Sequence, residues 1–205
     1  MSFQHLRVET SDRIGWIEYY RPPLNAFNWE MLYEVPRALT QLLNDPNTRV
    51  IVFASALEKY FSTGADLKVF QAMGPGDLRR WVETCHSLVL QMRAAGKPLL
   101  ASINGTAVGG GLEMVLHCDL RFAANDAKLG QPEINIAFIP PVGATQAYGR
   151  LLGRSRALRC QRKRRWRWGW LILSCPPTDC GQRRRPMRSS LRKSLPVPWQ
   201  PFGAV

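Results

Sequence analysis

The sequence predicts an α/β layered fold, and three observations lead there. Apolar runs of strand length alternate with longer stretches of helical period. The runs, such as residues 49–55 (RVIVFAS), are β-branched and unbroken by charge, the pattern of a strand buried on both faces. Glycine-containing turns stand where strands feed helices. No internal repeat of fixed period is visible, which sets aside solenoid and propeller architectures.

Taken in order, residues 3–9 and 13–20 (FQHLRVE and RIGWIEYY) read as two strands around a Ser11-Asp12 turn. Residues 21–26 (RPPLNA) form a loop. Residues 29–44 have helical period, with Pro36 expected to kink the helix or mark its true start. Residues 49–55 are a strand. The segment YFSTGADLK, residues 60–68, carries a strand through a glycine turn into a helix that Asp66 can cap. Residues 77–95 are an amphipathic helix ended by Gly96-Lys97-Pro98, with Cys85 and His86 as ordinary members. The run PLLASIN from Pro98 is a further buried strand, and residues 142–152 another helix, with one more starting near Ser155.

Length and composition bound the function. A chain of 205 residues with 45% apolar content suits one soluble domain with a sizeable core, possibly with an appendage. The N-terminal MSFQHLRVETSD lacks the basic start and apolar run of a secretory leader, and the apolar region near residue 100 is rich in glycine and polar residues. A cytoplasmic location is expected, where the five cysteines need not pair. The formal charge of +13 divides unevenly: residues 1–159 carry 17 Lys+Arg against 14 Asp+Glu, residues 160–205 carry 11 against 1. Two units follow, a core at 1–159 and a basic Trp/Arg/Pro-rich tail at 160–205. In the tail, Cys160, Cys175 and Cys180 offer no CxxC pair for zinc. His117 and Cys118 are adjacent, which points them to different faces, so no metal ligands are assigned.

The rest of the chain is organised around residues 103–140. Here Gly109, Gly110 and Gly111 stand between a strand and a helix, where a backbone without Cβ can approach a ligand. The helix that follows turns its unsatisfied N–H groups back toward that loop, a place to stabilise an oxyanion. Glu113 falls in the first turn of this helix. Glu133 follows Pro132 and is expected in a rigid, non-helical loop. Two carboxylates beside one oxyanion site can share acid and base duties. The competing reading is a packing turn with Glu113 as a dipole partner.

Four blocks in register, LNAF, FSTGADLK, INGTAVGGGLEM and LGQPEINIAFIPPVGATQ, resemble the crotonase superfamily, the enoyl-CoA hydratases and isomerases, over residues 3–159. The resemblance implies a crotonase-like spiral of ββα units binding an acyl-CoA thioester, with no cofactor apart from the coenzyme A of the substrate. By motif position the thioester oxygen would sit between the N–H groups of Ala65 and Gly110, with Asp66, Leu67 and Lys68 lining the CoA site. Glu113 and Glu133 match the paired glutamates of hydratases, which favours addition of water to a trans-2-enoyl-CoA; an isomerase or another CoA-thioester lyase is the alternative. Pro140-Pro141-Val142 departs from a usually glycine-rich stretch that lines the acyl pocket.

The resemblance stops near residue 159, where the family continues into helices that cover the acyl chain and build a homo-trimer or hexamer. RWRWGW and LILSCPPTDC can be read in a shifted frame as VAVGMV and DLVLPPDRL, which looks like the family's usual continuation. A frameshift near residue 160 is therefore expected, with a poorly ordered or loosely docked tail, no stable trimer and little or no hydratase activity of the chain as it stands. The remote alternative is a nucleic-acid-binding tail, since basic residues interleaved with Trp can contact phosphates and stack on bases.

Overall fold

A computed structural model describes residues 2–152 and the strand Ile172–Cys175. It is built on a six-stranded sheet of order β1-β2-β3-β5-β7-β9 and a three-stranded sheet of order β4-β6-β8. The large sheet contains β1 (Leu6–Ser11), β2 (Ile14–Tyr19), β3 (Val50–Ser55), β5 (Leu99–Ile103), β7 (Leu120–Ala124) and β9 (Ile172–Cys175). Only β1 runs antiparallel, joined to β2 by a turn in which Asp12 and Arg13 both take positive φ. The other pairings are parallel.

A parallel sheet needs cover on both faces, and the unbroken apolar run of β3 supplies it. Ile51 and Phe53 enter the main core, while Val52 and Ala54 join a second cluster with Trp16 and Leu100. The main core fills the space beneath α1 (Trp29–Asn44) and α3 (Pro75–Arg93). Helix α1 starts at Trp29, capped by Asn28, whose side chain accepts from the Met31 amide at 3.0 Å, and not at Pro36. A proline in a helix interior costs about 3 kcal/mol. Burial of Leu32, Val35, Leu39 and Leu42 outweighs it, at about 1.5–3 kcal/mol per large aliphatic side chain. At the far end Lys97 Nζ donates to the Leu42 and Asp45 carbonyls at 2.8 and 2.7 Å.

The small sheet holds the functional loops. Its strands β4 (Tyr60–Ser62), β6 (Thr106–Val108) and β8 (Leu129–Gly130) are two or three residues long. Strands that short carry no periodicity, which is why β6 and β8 have no counterpart in the sequence reading. Strand β4 leads into α2 (Leu67–Gln71) and β6 into α4 (Gly110–Leu116). After β8, Glu133 does not lie in the rigid, non-helical loop expected. It opens a 3-10 turn, Glu133–Ile136, because Pro132 sits at the cap and its carbonyl accepts from the Asn135 amide at 2.9 Å. Helix α5 (Ala144–Leu152) follows. The core–tail boundary at residue 160, the helix near Ser155 and, β9 apart, the order of the tail fall outside the described residues.

Candidate active site

The site begins with a buried asparagine that the sequence reading passed over. Asn25, fully buried with φ of 51°, donates from Nδ2 to Ser55 Oγ at 2.8 Å and to the Phe61 carbonyl at 3.1 Å. Its own carbonyl accepts from Ser62 Oγ, which in turn accepts from the Gly64 amide. Two residues on, Phe27 and Ala65 form a parallel bridge: the Phe27 amide donates to the Gly64 carbonyl at 2.7 Å, and the Asp66 amide to the Phe27 carbonyl at 2.9 Å. The LNAF segment therefore braces the turn after β4 on both sides of Ala65.

That turn and the glycine run are pressed together. Gly64 has φ of +81°, and a Cβ there would lie 2.7 Å from the Gly110 amide nitrogen. A Cβ on Gly111 would meet the Ser62 carbonyl oxygen at 2.5 Å, and one on Gly109, with φ of +55°, would meet Glu133 Oε1 at 3.0 Å. Three glycines are thus required by close approach or by positive φ. The outcome is that Ala65 N and Gly110 N are near neighbours, and among the described residues neither donates a hydrogen bond. Both residues line one cavity of about 230 Å³. Two unengaged amides at the mouth of a short helix can receive an oxyanion.

The two glutamates face the same cavity. Glu113 is completely buried, and its Oε1 accepts from the Val142 amide at 2.9 Å and the Ala144 amide at 3.1 Å. Glu133 is nearly as buried, and its Oε1 accepts from Gln131 Nε2 at 3.0 Å. In both residues Oε2 is buried without a protein partner among the described residues. Burial pushes the Glu113 carboxyl up to about 7, the charge of Glu133 adds to this, and the two amide hydrogen bonds oppose it. Burial also raises Glu133, against its hydrogen bond from Gln131. Two carboxyls, each with one oxygen anchored and the other bare, can hold one water between them and pass protons in both directions.

Apolar side chains complete the cavity: Phe27, Leu32, Phe70, Trp81, Met114 and Phe138 among them. Trp81 stands edge-on to Phe70, with ring centroids 5.3 Å apart, and Phe70 edge-on to Phe138 at 5.7 Å. Pro141 and Val142 line it as well. Cys85, read from sequence as a plain helix residue, also faces the cavity; burial and the neighbouring Glu113 push its thiol up to about 12, so it behaves as a small apolar group. Leu67 lines the cavity beside Ala65, whereas Asp66 and Lys68 do not. Asp66 caps α2 through the Lys68 amide at 3.1 Å and pairs with Arg21 at 2.9 Å. Lys68 is exposed. Among the described residues no cluster of His, Cys, Asp and Glu could hold a metal ion, and no helix is long and apolar enough to cross a membrane.

The sequence and the fold have relatives. Residues 9–162 match the family model described as enoyl-CoA hydratase/isomerase. A probable mitochondrial enoyl-CoA hydratase 2 of Arabidopsis thaliana is 40% identical over 64% of this chain and 44% of that protein. A crotonyl-CoA hydratase of Syntrophomonas wolfei is 32% identical over 75% of this chain and 59% of that protein. The chain therefore spans about half the length of these curated relatives. Among solved structures, an enoyl-CoA hydratase from Bacillus anthracis superposes with a TM-score of 0.73 at 36% identity, covering 77% of this chain and 62% of that one.

Proposed function

The chain belongs to the enoyl-CoA hydratase/isomerase family, and from that membership we propose that it adds water across the double bond of a trans-2-enoyl-CoA to give a 3-hydroxyacyl-CoA. The observation that carries this reading is the pair of buried carboxyls, each with a bare Oε2, beside two unengaged amides. In this reading the thioester oxygen accepts from the Ala65 and Gly110 N–H groups. Polarisation makes Cβ electrophilic and stabilises the enolate that forms; one such donor is worth about 2.7–4 kcal/mol in other enzymes. Glu113 takes a proton from the water as its oxygen bonds to Cβ. Glu133 gives a proton to Cα as the enolate collapses, so one water is consumed and the carboxyls exchange roles with no net loss of protons.

Protonation of the pair follows from its electrostatics. Burial alone would leave Glu113 holding a proton near neutrality. A proton on Glu133 removes the like charge that raises Glu113, and the two amides then favour the Glu113 carboxylate. The macroscopic titrations belong to the pair. Leu67 would touch the CoA portion of the substrate, with Asp66 shaping the turn and Lys68 reaching pantetheine or phosphate from solvent. No group beyond the substrate's own coenzyme A is called for. We place the enzyme in the cytoplasm, consistent with Cys85 and Cys118 both being free, and expect the family's homo-trimer to depend on residues after 159.

The test is turnover of a short trans-2-enoyl-CoA with product analysis. Formation of the 3-hydroxyacyl thioester is expected. Migration of the double bond without hydration would replace this reading with the isomerase one. The chain as it stands and a frame-corrected version should be assayed side by side.

A further inference from the structure

At the C-terminal end of α4, His117 reaches back to the segment holding Glu113, beside Leu116, which packs on Ala144. Its Nε2 lies 2.7 Å from the Val142 carbonyl oxygen. Its ring also packs on Gly143: a Cβ there would lie 3.4 Å from Cε1 and 3.5 Å from Nε2, and Gly143 has φ of +97°. Glu113 and His117 stand four residues apart, on one face of the helix. A single short helix thus grips residues 142–144 at both ends. Glu113 accepts the amides of Val142 and Ala144, and His117 takes the carbonyl between them. A second imidazole helps from α3, where His86 Nε2 lies 2.7 Å from the Pro141 carbonyl.

We propose that His117 is a positioning residue for Glu113: by holding the Val142 carbonyl it keeps the Val142 and Ala144 amides on Glu113 Oε1, which leaves Oε2 directed at the reacting water.

The chemistry of the contact fixes the tautomer. A carbonyl only accepts, so Nε2 carries the proton and Nδ1 keeps its lone pair. Arg93 NH2 lies 3.5 Å from that Nδ1. Burial holds His117 below the usual imidazole range, and Arg93 and Arg121 push the same way, against the Val142 hydrogen bond. The ring is therefore neutral at the pH where Glu113 works. Glu133 is the charge bearing on Glu113 itself, and the Cys85 thiol of α3 beside it stays neutral through that range. Neither is touched by a change at His117, so an altered Glu113 titration reports the amide contacts.

The experiment is a carbon-13 NMR titration of protein labelled at the glutamate carboxyls, with the Glu113 signal identified by its loss in Glu113→Gln. In His117→Leu the Glu113 midpoint should rise by about one pH unit, since hydrogen bonds that favour the carboxylate are weakened. In His117→Gln, whose side-chain amide can still donate to the Val142 carbonyl, it should stay near the parent's. A His117→Leu variant that titrates like the parent would overturn the proposal. Should His117→Leu not fold, the unaltered protein still decides. Nitrogen-15 shifts should report an Nε2–H imidazole with a slowly exchanging proton, and an Nδ1–H tautomer would end the idea. A kinetic arm rests on the hydratase reading: in His117→Leu, kcat should fall about tenfold with KM little changed, and the acidic limb of its pH profile should move upward. An unaltered, frame-corrected chain that hydrates nothing would refute that reading, while the NMR titration would still judge His117.

Discussion

Replacing Gly64 with Ala tests the heart of the site, because it drives apart the two loops that carry the paired amides. The new Cβ would sit 2.7 Å from the Gly110 nitrogen and 3.1 Å from the Val108 carbonyl oxygen, both backbone atoms that no rotamer change can move. The backbone at φ of +81° also opposes any side chain, at about 1–2 kcal/mol for a left-handed conformation. Relief of the clash has to come from separation of the turn after β4 and the start of α4. In the proposed reaction their shared work is to aim Ala65 N and Gly110 N at one point, so the loss should approach that of one oxyanion donor, about a hundredfold or more in kcat. Stability should fall by about 2 kcal/mol, strain and displacement together. The assay follows loss of the enoyl thioester's ultraviolet absorbance in the frame-corrected protein, alongside thermal melts. Gly110→Ala serves as the stability control, since its Cβ would meet nothing closer than 3.7 Å. A Gly64→Ala protein with parental melting temperature and turnover would show that the two loops tolerate separation, and the geometric argument for the amide pair would fail.

Glu113→Gln and Glu133→Gln should each lower hydration by orders of magnitude while leaving binding of a saturated acyl-CoA largely intact; near-parental turnover in either removes that residue from the acid–base scheme. Stability should also respond to pH through Glu113. Its folded pKa, about 7, lies above its ordinary value of 4.5, so the folded state binds the extra proton between those limits. Its contribution is fully present below about 4.5 and is lost as pH rises through 7, by at most about 3 kcal/mol. Glu113→Gln should therefore gain on the parent in melting temperature between pH 5 and pH 8, and a constant difference would contradict the burial argument. Asn25→Ala should cost about 2–3 kcal/mol, since it strands the Phe61 carbonyl and the Arg21 amide that meet its side chain. It should lower kcat as well, through the Ala65 turn; chemical denaturation and turnover measured on the same sample would reveal a purely structural role.

The sequence determined the layered architecture, because strand-length apolar runs and amphipathic helices leave few ways to bury both faces of a parallel sheet. Residues 49–55 could be read as a doubly buried strand from composition alone, and Ile51 and Val52 do enter opposite layers. It also displayed the glycines and both glutamates, since Gly is the residue that close backbone approach demands and carboxylates are conspicuous in apolar surroundings. Other features had no local signal. The strands of the small sheet are too short for any period to register, and Pro36, expected to kink the helix or mark its true start, lies inside a helix that core burial holds from Trp29 onward. Glu133 looked like a loop residue, although Pro132 in fact opens a turn of 3-10 helix. Above all, no spacing rule brings Asn25 beside Phe61, or His117 beside Val142. Those contacts join residues 36 and 25 positions apart. They arise only when the chain closes on itself, since hydrogen-bond partners across such loops are chosen by packing and not by propensity. The sequence supplied the chemical groups of the site, and the fold decided which oxygen of each carboxyl was anchored and which was left bare.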